Sequence, residues 1–119
     1  MIRRSAAVVA VALWALAVVA SAQDGFRITH TVDRGSATQT RITGMVFNES
    51  RVDAVDVYVT AEAVDGNGKT VARGITFVSP SIAAGRGVAF TASVPAVPGA
   101  TSYRVRVSSF RSGLAQQSP

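Results

Sequence analysis

The residues of this chain that could do chemistry are few. His30 is the one histidine among 119 residues, and there is no cysteine. A serine–histidine–acid relay would have to run through His30, and the chain has no G-x-S-x-G turn to present the serine. Metal ligation by imidazole needs further histidines or a carboxylate cluster, and His30 has no such neighbour in sequence. The stretch from Asp65 through Gly66, Asn67 and Gly68 to Lys69 opens like a calcium loop. Lys69 then stands where a third oxygen ligand belongs, and no closing bidentate glutamate follows. A hairpin turn is the expectation there. Asp53, Asp56 and Glu62 could serve glycoside hydrolysis only across a shared cleft. Asp56 and Glu62 fall instead along one outward strand face. Asn48-Glu49-Ser50 satisfies the N-glycosylation pattern. It equally suits a turn whose backbone is bonded by asparagine and serine side chains. The lack of cysteine excludes a thiol nucleophile, a cysteine zinc site and a lipid-modified N-terminal cysteine. The expectation is a non-catalytic protein with no metal and no cofactor.

The elements that position these residues begin after a leader-like segment. Arg3 and Arg4 precede an uncharged run, Ala6 to Ala20, followed by the small-x-small triplet Ala20-Ser21-Ala22. This order predicts a secretory signal peptide over 1–22, cleaved after Ala22. As a helix the run would span only about 22 Å, short of the ~30 Å hydrocarbon core. Cleavage leaves 97 residues, enough for one domain that folds without disulfides. Removing Arg3 and Arg4 from the twelve basic residues leaves ten against seven acidic ones, a mature charge of +3. Nine of the ten are arginines and they are scattered, without the run that marks a nucleic-acid patch.

The remainder alternates with a period near two, the mark of half-buried strands. One face collects Phe26, Ile28, His30 and Val32. Another collects Val55, Val57, Val59, Ala61 and Ala63, with Asp56, Tyr58, Thr60 and Glu62 opposite. Val88, Phe90, Ala92 and Val94 align, as do Tyr103, Val105 and Val107, with Arg104 and Arg106 opposite. Strands are expected at 26–32, 39–48, 54–64, 69–78, 87–94 and 102–110, with a seventh if the first stretch divides. Glycines 66 and 68 are expected to supply positive φ in the hairpin after Asp65. Ile42 and Val46 oppose Met45 and Phe47, so strand 39–48 is expected to be a central strand covered on both sides, or one whose outer face meets something. Gly44 in its middle calls for a large side chain from the facing sheet to sit over it. The pattern predicts a single antiparallel β-sandwich, immunoglobulin-like, of six to seven strands over 23–111, with a disordered tail over 112–119.

The stretch from Ile42 to Ser50, "ITGMVFNES", resembles the G-x-V-x-N-x-S corner of small exported bacterial β-sandwich modules of the FxLYD type. The resemblance continues through "VYVTAEAVDGNGKTVARG" and "SIAAGRGVAFTASVP", and covers roughly 42–107. Ala61, Glu62 and Ala63 depart from it, standing where aromatic residues would be typical. "VPGATSYRVRV" is similar to the end of fibronectin type III domains, where a tyrosine hydroxyl bonds back to the preceding corner. Both resemblances imply a sandwich fold and neither carries catalytic residues.

Three readings of function follow. The first is an exported, periplasmic or secreted, interaction or ligand-binding module, whose partner is another envelope or extracellular protein or a glycan. The second is a structural or assembly subunit working through a sheet edge. The third, an enzyme with an unrecognised site, has no motif behind it. Nucleic acid is not expected as a partner, and the membrane only transiently through the leader. The residues named for partner contact are Arg104, Arg106 and Tyr58. An immunoglobulin-like order sets strand 54–64 beside strand 102–110, so the arginines are expected opposite Asp56 and Glu62, with one of them over the Tyr58 ring.

Overall fold

A computed structural model of the chain describes residues 18–33 and 36–113. Most of the expected leader, 1–17, and most of the expected tail, 114–119, lie outside the described residues. Seven strands are formed among the described residues: β1 (Val19–Gln23), β2 (Phe26–Asp33), β3 (Gln39–Asn48), β4 (Ala54–Asp65), β5 (Thr70–Ile82), β6 (Gly87–Pro95) and β7 (Ala100–Ser112). They build two antiparallel sheets, β1-β2-β3-β6 and β5-β4-β7, packed as a sandwich. Six of them fall on the six alternating stretches of the sequence. The seventh, β1, does not come from dividing the first stretch. It is the segment that ends the expected leader, and it pairs with β2 from Val19↔His30 to Gln23↔Phe26.

The alternation sets the core. Ile28, Ile42, Val46, Val57, Val59, Ala61, Ala63 and Val94 are wholly enclosed, and Phe26, Phe90, Val105 and Val107 close around them. The period breaks once in β4. Asp56 takes a positive φ of 52°, and the pairing with both neighbours slips between Val55 and Tyr58. This bulge puts Ala54 and Val57 inside together, where strict alternation had placed Val55. Strand β5 runs through Pro80 to Ile82, past the boundary expected at 78. It is an edge strand and Pro80 falls opposite the irregularity at Asp56, the two settings in which a sheet tolerates proline.

Two glycines are explained by close approach. A Cβ on Gly44 would lie 1.9 Å from the Thr29 carbonyl oxygen and 2.9 Å from the His30 Cα. The neighbour that requires glycine there is the backbone of β2, not a side chain from the facing sheet. A Cβ on Gly74 would lie 2.0 Å from the Ser93 carbonyl oxygen, where β5 of one sheet meets β6 of the other. In the hairpin after Asp65 only Gly68 takes a positive φ, 83°. The Asp65 carboxylate does the rest, accepting from the Asn67 and Lys69 amides at 2.9 and 3.0 Å.

Candidate functional site

The outer face of the sheet β5-β4-β7 gathers the residues named for partner contact. Strands β4 and β7 are neighbours, with Glu62 opposite Arg104 and Thr60 opposite Arg106. On the other flank β5 sets Arg73 opposite Glu62. Three guanidiniums therefore converge on one carboxylate: Arg104 Nε at 3.7 Å, Arg106 Nη2 at 3.7 Å and Arg73 Nη2 at 4.0 Å from Glu62 oxygens. The Glu62 side chain is 11% exposed while the arginines keep 48–61% of theirs. The carboxylate is largely covered while the arginine side chains stay half in water. The cluster carries three positive charges against one, and its separations exceed hydrogen-bond length. Contacts so long and so exposed hold little stability, of order 0–1 kcal/mol each.

Beside this cluster lies an apolar strip. Ile75 is 66% exposed, Phe77 49% and Tyr58 38%. Tyr58 and Phe77 meet edge to face across β4 and β5, ring centroids 5.1 Å apart. No arginine lies over Tyr58 among the described contacts. The arginine-on-ring contact is on the other sheet, where the Arg27 guanidinium sits 4.0 Å from the Phe47 centroid. Asp56 also departs from expectation, since the bulge turns it to Arg111 in place of Arg104 or Arg106. Sequence reasoning missed Arg73, Ile75 and Phe77. Their signal was present, because "RGITF" alternates them onto one face.

A second feature is a slot between β1 and β7, the facing edges of the two sheets. Its cavity of about 480 Å³ is lined by Val19, Ala22, His30, Tyr103 and Val105 among others. Gln23 closes one end. Its carboxamide donates to the Val107 carbonyl at 2.7 Å and accepts from the Val107 amide at 2.9 Å, as a strand residue would. His30 was expected half-covered on an edge strand. It is 4% exposed, because β1 lies outside β2. Its Nε2 is buried with no hydrogen-bond partner. Burial holds its pKa below the usual imidazole value. Tyr103 packs against the core. Its hydroxyl does not reach back to the preceding corner. It meets Thr40 Oγ1 on the facing sheet at 3.4 Å.

The remaining candidates have structural partners. Asn48 is 1% exposed. Its Nδ2 donates to the Val52 and Ile82 carbonyls, both at 2.9 Å. Its Oδ1 accepts from the Ser50 amide at 3.1 Å and the Ser50 hydroxyl at 2.7 Å. Both amide hydrogens are thereby used, and this asparagine pins the β3–β4 corner. Asp53 accepts from the Ala84 amide at 3.0 Å. Asp53, Asp56 and Glu62 thus each face a different group and share no cleft. No family model, no curated protein and no solved structure matches the chain.

Proposed function

We propose that this is a non-catalytic, exported interaction module, of the FxLYD-like kind, that docks an acidic protein surface on the outer face of β5-β4-β7. The observation that carries the reading is the convergence of Arg73, Arg104 and Arg106 on the single carboxylate of Glu62, next to exposed Ile75 and Phe77. Two positive charges are left over, held by loose contacts that an incoming carboxylate can replace. The aliphatic and aromatic strip favours a protein over a glycan, because Ile75 offers a sugar neither a hydrogen bond nor a stacking face. An apolar centre with arginines around it is the usual make-up of a protein interface. Export rests on the leader-like order of Arg3-Arg4, apolar run and Ala20-Ser21-Ala22.

The test is capture from a cell-envelope extract of the source organism, with the protein and two variants as bait. Ile75→Ser changes an exposed side chain, so its melting temperature should match the parent; Arg73→Glu sets a second carboxylate opposite Glu62 and should cost about 0.2–1 kcal/mol, too little to unfold the domain. A partner captured by the parent should be acidic, released by raised salt, and lost with both variants. Equal capture by parent and variants would overturn the reading.

A further inference from the structure

In a seven-stranded immunoglobulin-like sandwich the third, sixth and seventh strands share a sheet, the seventh pairing with the sixth. Here β4 and β7 take the third and sixth places if β2 is counted as the first strand, and β5 extends the sheet on the β4 side. Among the described residues no strand pairs with the outer edge of β7. The backbone identifies which groups are open. Val107 turns both its amide and its carbonyl away from β4, toward the Gln23 carboxamide. The β4–β7 register is regular from Val59↔Val107 to Val64↔Ser102. Hydrogen-bonding direction alternates along a strand, so Val105 and Tyr103 also point their amides and carbonyls outward. These groups face the slot in which β1 stands off without pairing to β7.

We propose that β7 is a strand acceptor: an extended acidic segment of the partner enters the slot and adds to β7 along Tyr103–Val105, stopping at the tie between Gln23 and Val107. The proposal rests on the acidic-partner reading above and supplies the segment's chemistry. Residues flanking the open groups on the outer face are Arg104 and Arg106, 57% and 48% exposed in their side chains. Outward side chains of an added strand would stand beside them, and acidic residues pair best there. Inward side chains would meet Val105 and Tyr103, which suits small apolar residues. Below them lies His30 with its Nε2 unpartnered. A hydroxyl both donates and accepts, so an inward threonine satisfies that nitrogen in either tautomer.

The probe is a synthetic nine-residue peptide alternating valine and glutamate, with threonine at the central inward position. Its binding to the purified protein beginning at Gln23 is followed by calorimetry. In an added strand only alternate amides point at β7. N-methylation of that set should weaken binding by about tenfold or more, and N-methylation of the other set should leave it nearly unchanged. Replacing the threonine by valine should weaken binding several-fold, and His30→Leu should abolish that difference. The β5 variants Arg73→Glu and Ile75→Ser stand away from this edge and should leave peptide affinity unaltered. Indifference to both methylation sets, with affinity lost on Arg73→Glu, would place the peptide on the outer face, overturning strand addition while sparing the docking surface. Absence of binding at about millimolar peptide would likewise overturn strand addition. Capture from the envelope extract tests the outer face independently of these outcomes.

Discussion

Asn48→Ala should be among the most damaging single substitutions in this protein, and its cost can be worked from the corner it holds. The side chain makes four hydrogen bonds in a site 1% exposed, two to the carbonyls of Val52 and Ile82 and two from Ser50. A buried bond is worth about 0.5–1.5 kcal/mol net, and an orphaned acceptor costs more. Val52 keeps the Ser50 hydroxyl at 2.9 Å, so one loss is softened. The sum is about 3 kcal/mol. At roughly 4–8 °C per kcal/mol for a domain of this size, the melting temperature should fall by about 12 °C or more.

Asn48→Asp sharpens the test, because it keeps the shape and the half of the side chain that accepts from Ser50. It replaces the donating nitrogen with an oxygen aimed at two carbonyls. Burial and those dipoles disfavour the ionised form, so the folded-state pKa rises above the unfolded value of about 3.9. The unfolded chain then ionises first as pH rises, and stability declines from about pH 4 upward relative to the parent. Asn48→Ala, with nothing to titrate, should run parallel to the parent. Urea unfolding of the three proteins at several pH values measures both effects. A cost below about 1 kcal/mol for Asn48→Ala, or an Asn48→Asp curve parallel to the parent, would refute the account of the corner.

Two further outcomes are expected. Gly44→Ala should destabilise by several kcal/mol or prevent folding, because its Cβ meets β2 backbone at 1.9 Å and two paired strands must part to admit it. Soluble yield and thermal melts check this, and a near-neutral variant would mean that the strands separate easily. For His30, the folded pKa is lowered by burial. Its contribution is therefore full above the usual imidazole value and declines as pH falls from there toward the lowered folded value. His30→Leu should remove that slope from the stability–pH curve, and an unchanged slope would assign it to other groups.

Much of the fold was legible because the signal for a half-buried strand is local. Alternation placed six strands within a few residues and identified most of the inward faces. Strand order followed from the sandwich rule, which set β4 beside β7 and brought Arg104 and Arg106 to Glu62. What escaped depends on neighbours distant in sequence. The reason for Gly44 is the carbonyl of Thr29, which appears only when β2 and β3 are in register. Glu62 reads as an ordinary exposed carboxylate, and its cover depends on neighbours distant in sequence, with arginines of β5 and β7 gathered around it. The bulge at Asp56 leaves no mark in the pattern, so the acid was assigned to Arg104 or Arg106 when its partner is Arg111.

Strand β1 is the sharpest case of one segment satisfying two descriptions. Val19 to Ala22 carry small, mostly apolar residues, which suit a leader's cleavage region and also an edge strand. All four are exposed in the fold, so their own burial stabilises little. What they contribute is cover, since Val19 and Ala22 line the slot above His30. Gln23 is different, because its carboxamide ties β1 to Val107 of the other sheet. Cleavage after Ala22 would fall at this division. It would remove the covering residues and keep the tie, so the edge beside His30 would open while the two sheets stayed bridged. Export and strand acceptance would then be linked physically, with the slot obstructed in the precursor and accessible in the processed protein.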